Sequence, residues 1–177
     1  MIYLALLRGV NVSGKTAPMA EVRKHVEALG FADVRTLLQS GNLIFEAPKR
    51  APTTIETEIE RILLLEMSLA TTAMVRTAQE LDEIITGNPF EEEAERDPSH
   101  VVAVFLKEAP AAAKGKELQA SLVGAEQTAL RWNTLYAVYP DGIGESKLTP
   151  ALIERKLGTQ ATARNWNTIR KLREAMA

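Results

Sequence analysis

Val34-Arg35-Thr36-Leu37-Leu38-Gln39-Ser40-Gly41-Asn42-Leu43-Ile44-Phe45-Glu46 reads as two short strands, residues 34–39 and 43–46, joined through the polar turn Ser40-Gly41-Asn42. A turn this tight leaves no room for a crossover, so the strands form an antiparallel hairpin. On the N-terminal side, residues 2–7 are a continuous apolar run bounded by Arg8-Gly9, which suits a central strand covered on both faces. From Pro18 the period changes: Met19, Val22, Val26 and Leu29 recur at three and four residues, and Gly30 supplies a helix stop. On the C-terminal side, Pro52 and a Thr53-x-x-Glu56 capping box open a second helix carrying Ile55, Ile59, Ile62, Leu63 and Met67 on one side. Residues 71–76 read as a strand. The order β-α-β-β-α-β is the split-βαβ, ferredoxin-like unit.

Further along, Thr77-x-x-Glu80 is another capping box and starts a short helix with Leu81, Ile84 and Ile85 that stops at Gly87. Asn88-Pro89-Phe90 and the acidic run behind it form the least regular part of the chain, where a domain junction is expected. Residues 101–107 repeat the apolar strand, 111–122 suit a helix, and 128–132 with 135–139 make a second hairpin about Asn133-Thr134. After residues 141–144 the pattern is wholly helical. Thr149 caps and Pro150 begins a helix ending at Gly158, and Thr162 caps a last one with Trp166, Ile169, Leu172 and Met176 on its apolar side. The expected class is α+β, a ferredoxin-like split-βαβ N-terminal half plus a smaller related α+β half ending in two helices. The expected domains are 1–77, a connector over 78–100, and 101–177. No sequence repeat links the halves.

At 177 residues, 46% hydrophobic and 25% charged, the chain has the balance of a globular protein with one domain or two small ones. Zero cysteines exclude disulfides, thiolate metal sites and cysteine nucleophiles, and two distant histidines argue against zinc. No cofactor is implied. Residues 1–7 are too short for a signal core and lack a basic flank, and no apolar run approaches the ~20 residues of a membrane span, so a cytoplasmic protein away from membranes is expected. Charge is unevenly spread: residues 91–97 are acidic, whereas from Lys147 onward seven cations face only Glu154 and Glu174.

Residues 9–16 contain Gly-x-x-x-x-Gly-Lys-Thr, the literal pattern of a phosphate-binding P-loop, in which backbone N–H groups and a helix N-terminus surround phosphates. Three features oppose that reading. The P-loop fold needs a parallel sheet, whereas both halves here contain hairpins. It also needs a second strand ending in a Mg²⁺-holding Asp, yet 101–106 ends in Lys107-Glu108 and 71–75 in Arg76-Thr77. Finally, Pro18 starts the helix after the Gly-Lys-Thr instead of within it.

Four patches together resemble the bacterial domain of unknown function 1697 family: Leu7-Arg8-Gly9-Val10-Asn11-Val12, Leu38-Gln39-Ser40-Gly41-Asn42-Leu43-Ile44-Phe45, Ser146-Lys147-Leu148-Thr149, and Thr162-Ala163-Arg164-Asn165-Trp166-Asn167-Thr168. Asn88-Pro89-Phe90 looks similar as well, and the resemblance spans nearly the whole chain. Ser13-Gly14 stands where the family usually has a Gly pair. The resemblance implies two linked α/β parts with a ferredoxin-like first half, and it implies no activity.

In a ferredoxin-like unit strands one and two run the same way, so the end of the first and the turn after the second share a rim. That puts Arg8, Gly9 and Asn11 beside Ser40, Gly41 and Asn42. Ser146, Lys147, Arg164, Asn165 and Asn167 belong to the tail, which is expected to fold back against that rim. The set is rich in donors and has no His, Cys or paired carboxylates, so it suits an anion better than acid–base chemistry. Ser146-Lys147 is a poor nucleophile and base, because adjacent residues rarely aim both side chains at one atom. The expected function is binding of a phosphate-bearing ligand, a nucleotide or a nucleic-acid backbone. Three alternatives stand beside it: helix-turn-helix-like nucleic-acid binding by the tail, Mg-nucleotide-dependent phosphoryl transfer through residues 9–16, and a protein-interaction module using the acidic loop 88–97.

Overall fold

A computed structural model of the chain describes residues 1–11 and 16–177. The Gly14-Lys15 pair of the P-loop pattern and Ser13 of the family departure lie outside the described residues. The chain divides into one unit of Met1–Asp82 with Leu172–Ala177 and a second of Glu83–Lys171.

The first unit runs β1 (Ile2–Leu7), α1 (Met19–Glu27), β2 (Ala32–Leu37), β3 (Asn42–Glu46), α2 (Pro52–Met67) and β4 (Ala73–Thr77), leading into α3 (Ala78–Thr86). Its sheet order is β2-β3-β1-β4 and every pairing is antiparallel, with Leu4 opposite Ile44 and Ala5 opposite Val75. This is the ferredoxin-like arrangement the hairpin requires. Tyr3, Ala5, Leu7, Phe45 and Val75 on one face pack with Val22 and Val26 of α1 and Ile55, Ile59 and Leu63 of α2. Leu4, Leu6, Ile44 and Met74, which alternate with them, are also buried, so β1 is apolar without interruption because neither face meets water. A P-loop frame would give β1 a parallel neighbour, and both of its neighbours are antiparallel.

The second unit holds α4 (Glu91–Arg96), β5 (Val101–Leu106), α5 (Ala112–Ala120), β6 (Gln127–Arg131), β7 (Thr134–Val138), α6 (Pro150–Leu157) and β8 (Ala161–Asn165), followed by α7 (Trp166–Ala175). Its sheet order, β6-β7-β5-β8, repeats the first, so the second half is a complete β-α-β-β-α-β unit. Val102, Val104, Leu106, Leu135 and Ala137 pack with Leu118, Ile153 and Leu157.

Several sequence expectations need correction. Thr162 does not cap the last helix; it lies in β8, with Thr162 opposite Phe105 and Asn165 opposite Val102 of β5. A strand therefore stands between α6 and α7, and the tail is not a helix-turn-helix. Residues 88–97, expected to be irregular, contain α4 with Ala94 buried. Thr53-x-x-Glu56 is no capping box: Pro52 is the first helical residue, and Glu56 is buried and accepts from the Val75 N–H at 2.8 Å. The other terminal signals hold. Thr77 and Glu80 exchange both capping-box bonds, at 2.7 and 3.1 Å. Thr149 Oγ1 accepts from the Leu152 N–H, and Gly158 ends α6 at φ 72°.

Candidate functional site

The end of β1, the β2–β3 turn and the start of β4 meet at one rim of the first sheet. The Leu7 N–H donates to the Gly41 carbonyl at 2.8 Å, and the Arg8 N–H donates to the Thr72 carbonyl at 2.9 Å. Thr71 Oγ1 donates to the Arg8 carbonyl at 2.9 Å. Gly41 sits at φ +75°, and a Cβ there would lie 3.0 Å from Leu7 Cβ, so only glycine lets turn and strand approach this closely. The rim thus brings Arg8, Gly9 and Asn11 beside Ser40, Gly41 and Asn42.

Two of these side chains are committed to holding the rim together. Asn11, left-handed at φ 55°, donates from Nδ2 to the Gln39 carbonyl at 2.7 Å and to the Ala17 carbonyl at 3.1 Å, and its Oδ1 accepts from the Ala17 N–H at 2.7 Å. It ties the β1–α1 connection to the β2–β3 turn. Asn42 is fully buried and donates to the Leu37 carbonyl at 2.8 Å and to Ser40 Oγ at 3.0 Å. Arg8, Gly9 and Ser40 are half-buried at the rim, and among the described residues no atom lies within 4 Å of the position a Cβ would take at Gly9. Thr71 and Thr72, which sequence reasoning missed, complete the rim. Their position just before a strand next to β1 was the signal available.

The remaining predicted residues belong to the second unit. Ser146 Oγ donates to Glu126 Oε1 at 2.5 Å and accepts from the Leu148 N–H at 3.0 Å. That hydrogen bond holds the Glu126 carboxyl below the usual carboxylate range. Ser146 and the exposed Lys147 line a hollow of about 310 Å³ with Glu126, Asp141 and Glu145, whose carboxylates outnumber the single cation and oppose an anion. Arg164 is buried and donates from one guanidinium nitrogen to Thr162 Oγ1 and to the Ala163 carbonyl, both at 2.8 Å. Burial holds its pKa down to about 10.

Arg76 occupies the same place in the first unit: both arginines lie on the fourth strand beside the central strand, immediately before a helix cap. Burial lowers the Arg76 pKa too, against the opposing pull of Glu80 and Glu56. Arg164 thus recurs, buried, at the position that Arg76 holds in the first unit. Asn165 is the N-cap of α7, its Oδ1 accepting from Thr168 N–H and Oγ1 at 3.0 Å. Asn167 is exposed in the first turn of α7.

A histidine the sequence reading weighed only as a metal ligand also has a partner. His100 Nδ1 lies 2.9 Å from Asp97 Oδ2, while Ser99 Oγ donates to Asp97 Oδ1 at 2.6 Å. The Ser99 bond is the main cause that holds the exposed Asp97 carboxyl below its ordinary range. Among the described residues, no group of three or more His, Cys, Asp or Glu is placed to hold a metal ion. No described helix is long and apolar enough to cross a membrane.

Two tandem ferredoxin-like α+β units, the first with a tied polar rim, define the class of protein. The chain belongs to the family described as protein of unknown function (DUF1697), whose model matches residues 1–136. The patches at 146–149 and 162–168 lie beyond that match. The fold is similar to that of a conserved bacterial protein from Streptococcus pneumoniae, at 18% identity and a TM-score of 0.77, covering 99% of this chain and 98% of that one. No curated protein matches the chain.

Proposed function

We propose that the protein binds a phosphate-bearing ligand, a nucleotide or a nucleic-acid backbone, at the rim of the first unit, with Arg8, Gly9 and Ser40 as the contacting residues. The observation that carries this reading is the tie between the β1–α1 connection and the β2–β3 turn, through Leu7 to Gly41 and Asn11 to Gln39. It supports grouping Arg8, Gly9 and Ser40 on one edge. Arg supplies a charged fork of donors matched to phosphate oxygens. Glycine lets the ligand approach the backbone. Asn11, Gly41 and Asn42 shape the rim, and the acidic hollow beside Lys147 has the wrong sign to extend it.

The test is a thermal-shift panel of the purified chain against nucleotides with and without Mg²⁺, sugar phosphates, and short single- and double-stranded DNA and RNA. A ligand at 100 times its Kd adds about 2.7 kcal/mol, a shift of several degrees. Arg8→Ala is expected to abolish the shift in a chain that stays folded. A shift that survives Arg8→Ala, or no shift with any compound, overturns the reading.

A further inference from the structure

The order β6-β7-β5-β8 leaves β6 at a sheet edge. Peptide groups alternate sides along a strand, so the outward pairs of β6 are Glu126 C=O with Thr128 N–H, then Thr128 C=O with Leu130 N–H. The first pair is taken by a side chain of α5. Gln119 Oε1 accepts from the Thr128 N–H at 2.5 Å and from Thr128 Oγ1 at 2.9 Å, and Gln119 Nε2 donates to the Glu126 carbonyl at 3.4 Å. A primary carboxamide offers one N–H beside one C=O, the same couple a neighbouring strand offers. Gln119 therefore stands where the first peptide unit of an added strand would pair.

Beside it runs a groove of about 540 Å³ between α5 and β6. Its floor is low because Gly115 lies against β6: a Cβ at Gly115 would fall 2.6 Å from Leu130 Cβ. Lys116 and Arg131 line the groove and no carboxylate does, in a chain whose net charge is -2. Just past the strand end, Trp132 is left-handed at φ 48° and 70% exposed, an unusual placement for the residue type most enriched at binding hot spots.

We propose that the β6 edge and this groove bind an extended acidic peptide of a partner protein. The peptide adds as a strand outside β6, displaces the Gln119 carboxamide, and sets a carboxylate in the groove lined by Lys116 and Arg131. Backbone pairing gives such a site its affinity and the groove its selectivity. A second copy of this chain, laying its own β6 outside this one, is the competing occupant that the sedimentation arm below separates. In the free protein Gln119 shields the edge from indiscriminate pairing. The surface lies in the second unit and does not depend on the Arg8 rim.

The experiment titrates the full chain with a blocked Val-Glu-Val-Glu-Val peptide while recording amide and indole resonances, with a Val-Lys-Val-Lys-Val peptide as the control. The expected result is movement of the Thr128 and Leu130 amides and the Trp132 indole with the Glu peptide alone. Gln119→Ala should tighten binding several-fold by removing the competitor, with resonances away from the edge unmoved. Lys116→Glu with Arg131→Glu should weaken binding at least tenfold. Equal binding of the Lys peptide overturns the proposal, as does the absence of edge shifts in both wild type and Gln119→Ala at millimolar peptide. Sedimentation of Gln119→Ala as a dimer that ignores the peptide assigns the edge to self-pairing and overturns it equally.

Discussion

Replacing Asn11 separates the two things its side chain and backbone do at the rim. The side chain makes three hydrogen bonds, one exposed and two half-buried, and the backbone is left-handed at φ 55°. At about 0.5–1.5 kcal/mol per bond, Asn11→Gly should cost roughly 2–3 kcal/mol, since glycine accepts the left-handed backbone without strain. Asn11→Ala loses the same bonds and adds about 1 kcal/mol for an alanine Cβ in that conformation. For a chain of this size each kcal/mol moves the melting temperature by about 2–4 °C, so the expected losses are about 4–12 °C for Gly and about 6–16 °C for Ala, with Ala always the larger. Calorimetry or circular-dichroism melting reads both. An Asn11→Ala protein melting within a degree of wild type refutes the claim that this side chain ties the loops. Equal losses for Ala and Gly refute the strain component.

Other perturbations follow from the same geometry. Asn165→Ala removes the cap of α7 and should cost about 0.5–2 kcal/mol, with Asn165→Asp recovering most of it in chemical denaturation. Gly115→Ala gains about 1 kcal/mol of helix propensity but drives a Cβ to 2.6 Å from Leu130 Cβ, an overpacking of about 1–3 kcal/mol, so a net loss of stability is expected in the same assay. The Tyr136 and Tyr139 hydroxyls, which donate to the Ile84 and Leu148 carbonyls, are pushed up to about 12 by burial. A raised folded-state pKa gives stability that is complete below the unfolded value near 10 and lost as pH rises through about 12. Ultraviolet titration should show both phenolates forming only in that alkaline range, together with loss of the fold.

The sequence carried the fold wherever a local signal and a tertiary contact agree. The hairpin about Ser40-Gly41-Asn42, the Thr77-x-x-Glu80 box and the Thr149-Pro150 to Gly158 helix are such places. It misled where a distant group took over a local one. Glu56 fits a capping box but its carboxylate pairs with the Val75 N–H of β4, nineteen residues away. β8 was invisible for a related reason: a strand reading Ala-Thr-Ala-Arg-Asn has little apolar content, its buried Arg164 breaks the usual alternation, and Thr162 is a good cap in any helix prediction. Missing β8 hid that the second half is a full repeat of the first, which becomes plain only when Val75-Arg76-Thr77 and Ala163-Arg164-Asn165 fall at equivalent places. For the candidate site, strand directions alone were enough to bring Arg8 and Asn11 to Ser40. They did not reveal that Asn11 and Asn42 would turn inward to bind the loops, because that depends on carbonyls of Gln39 and Leu37 exposed by turn geometry.

The most direct test of the rim as a phosphate site is backbone-amide mapping of the full chain titrated with ADP, inorganic pyrophosphate and a short single-stranded DNA. The account predicts that at least one of them moves the amides of Gly9, Ser40 and Gly41 saturably, and that Arg8→Ala removes the effect. Saturable shifts confined to Lys147 or the first turn of α7, or none at the rim with any of the three, would contradict it.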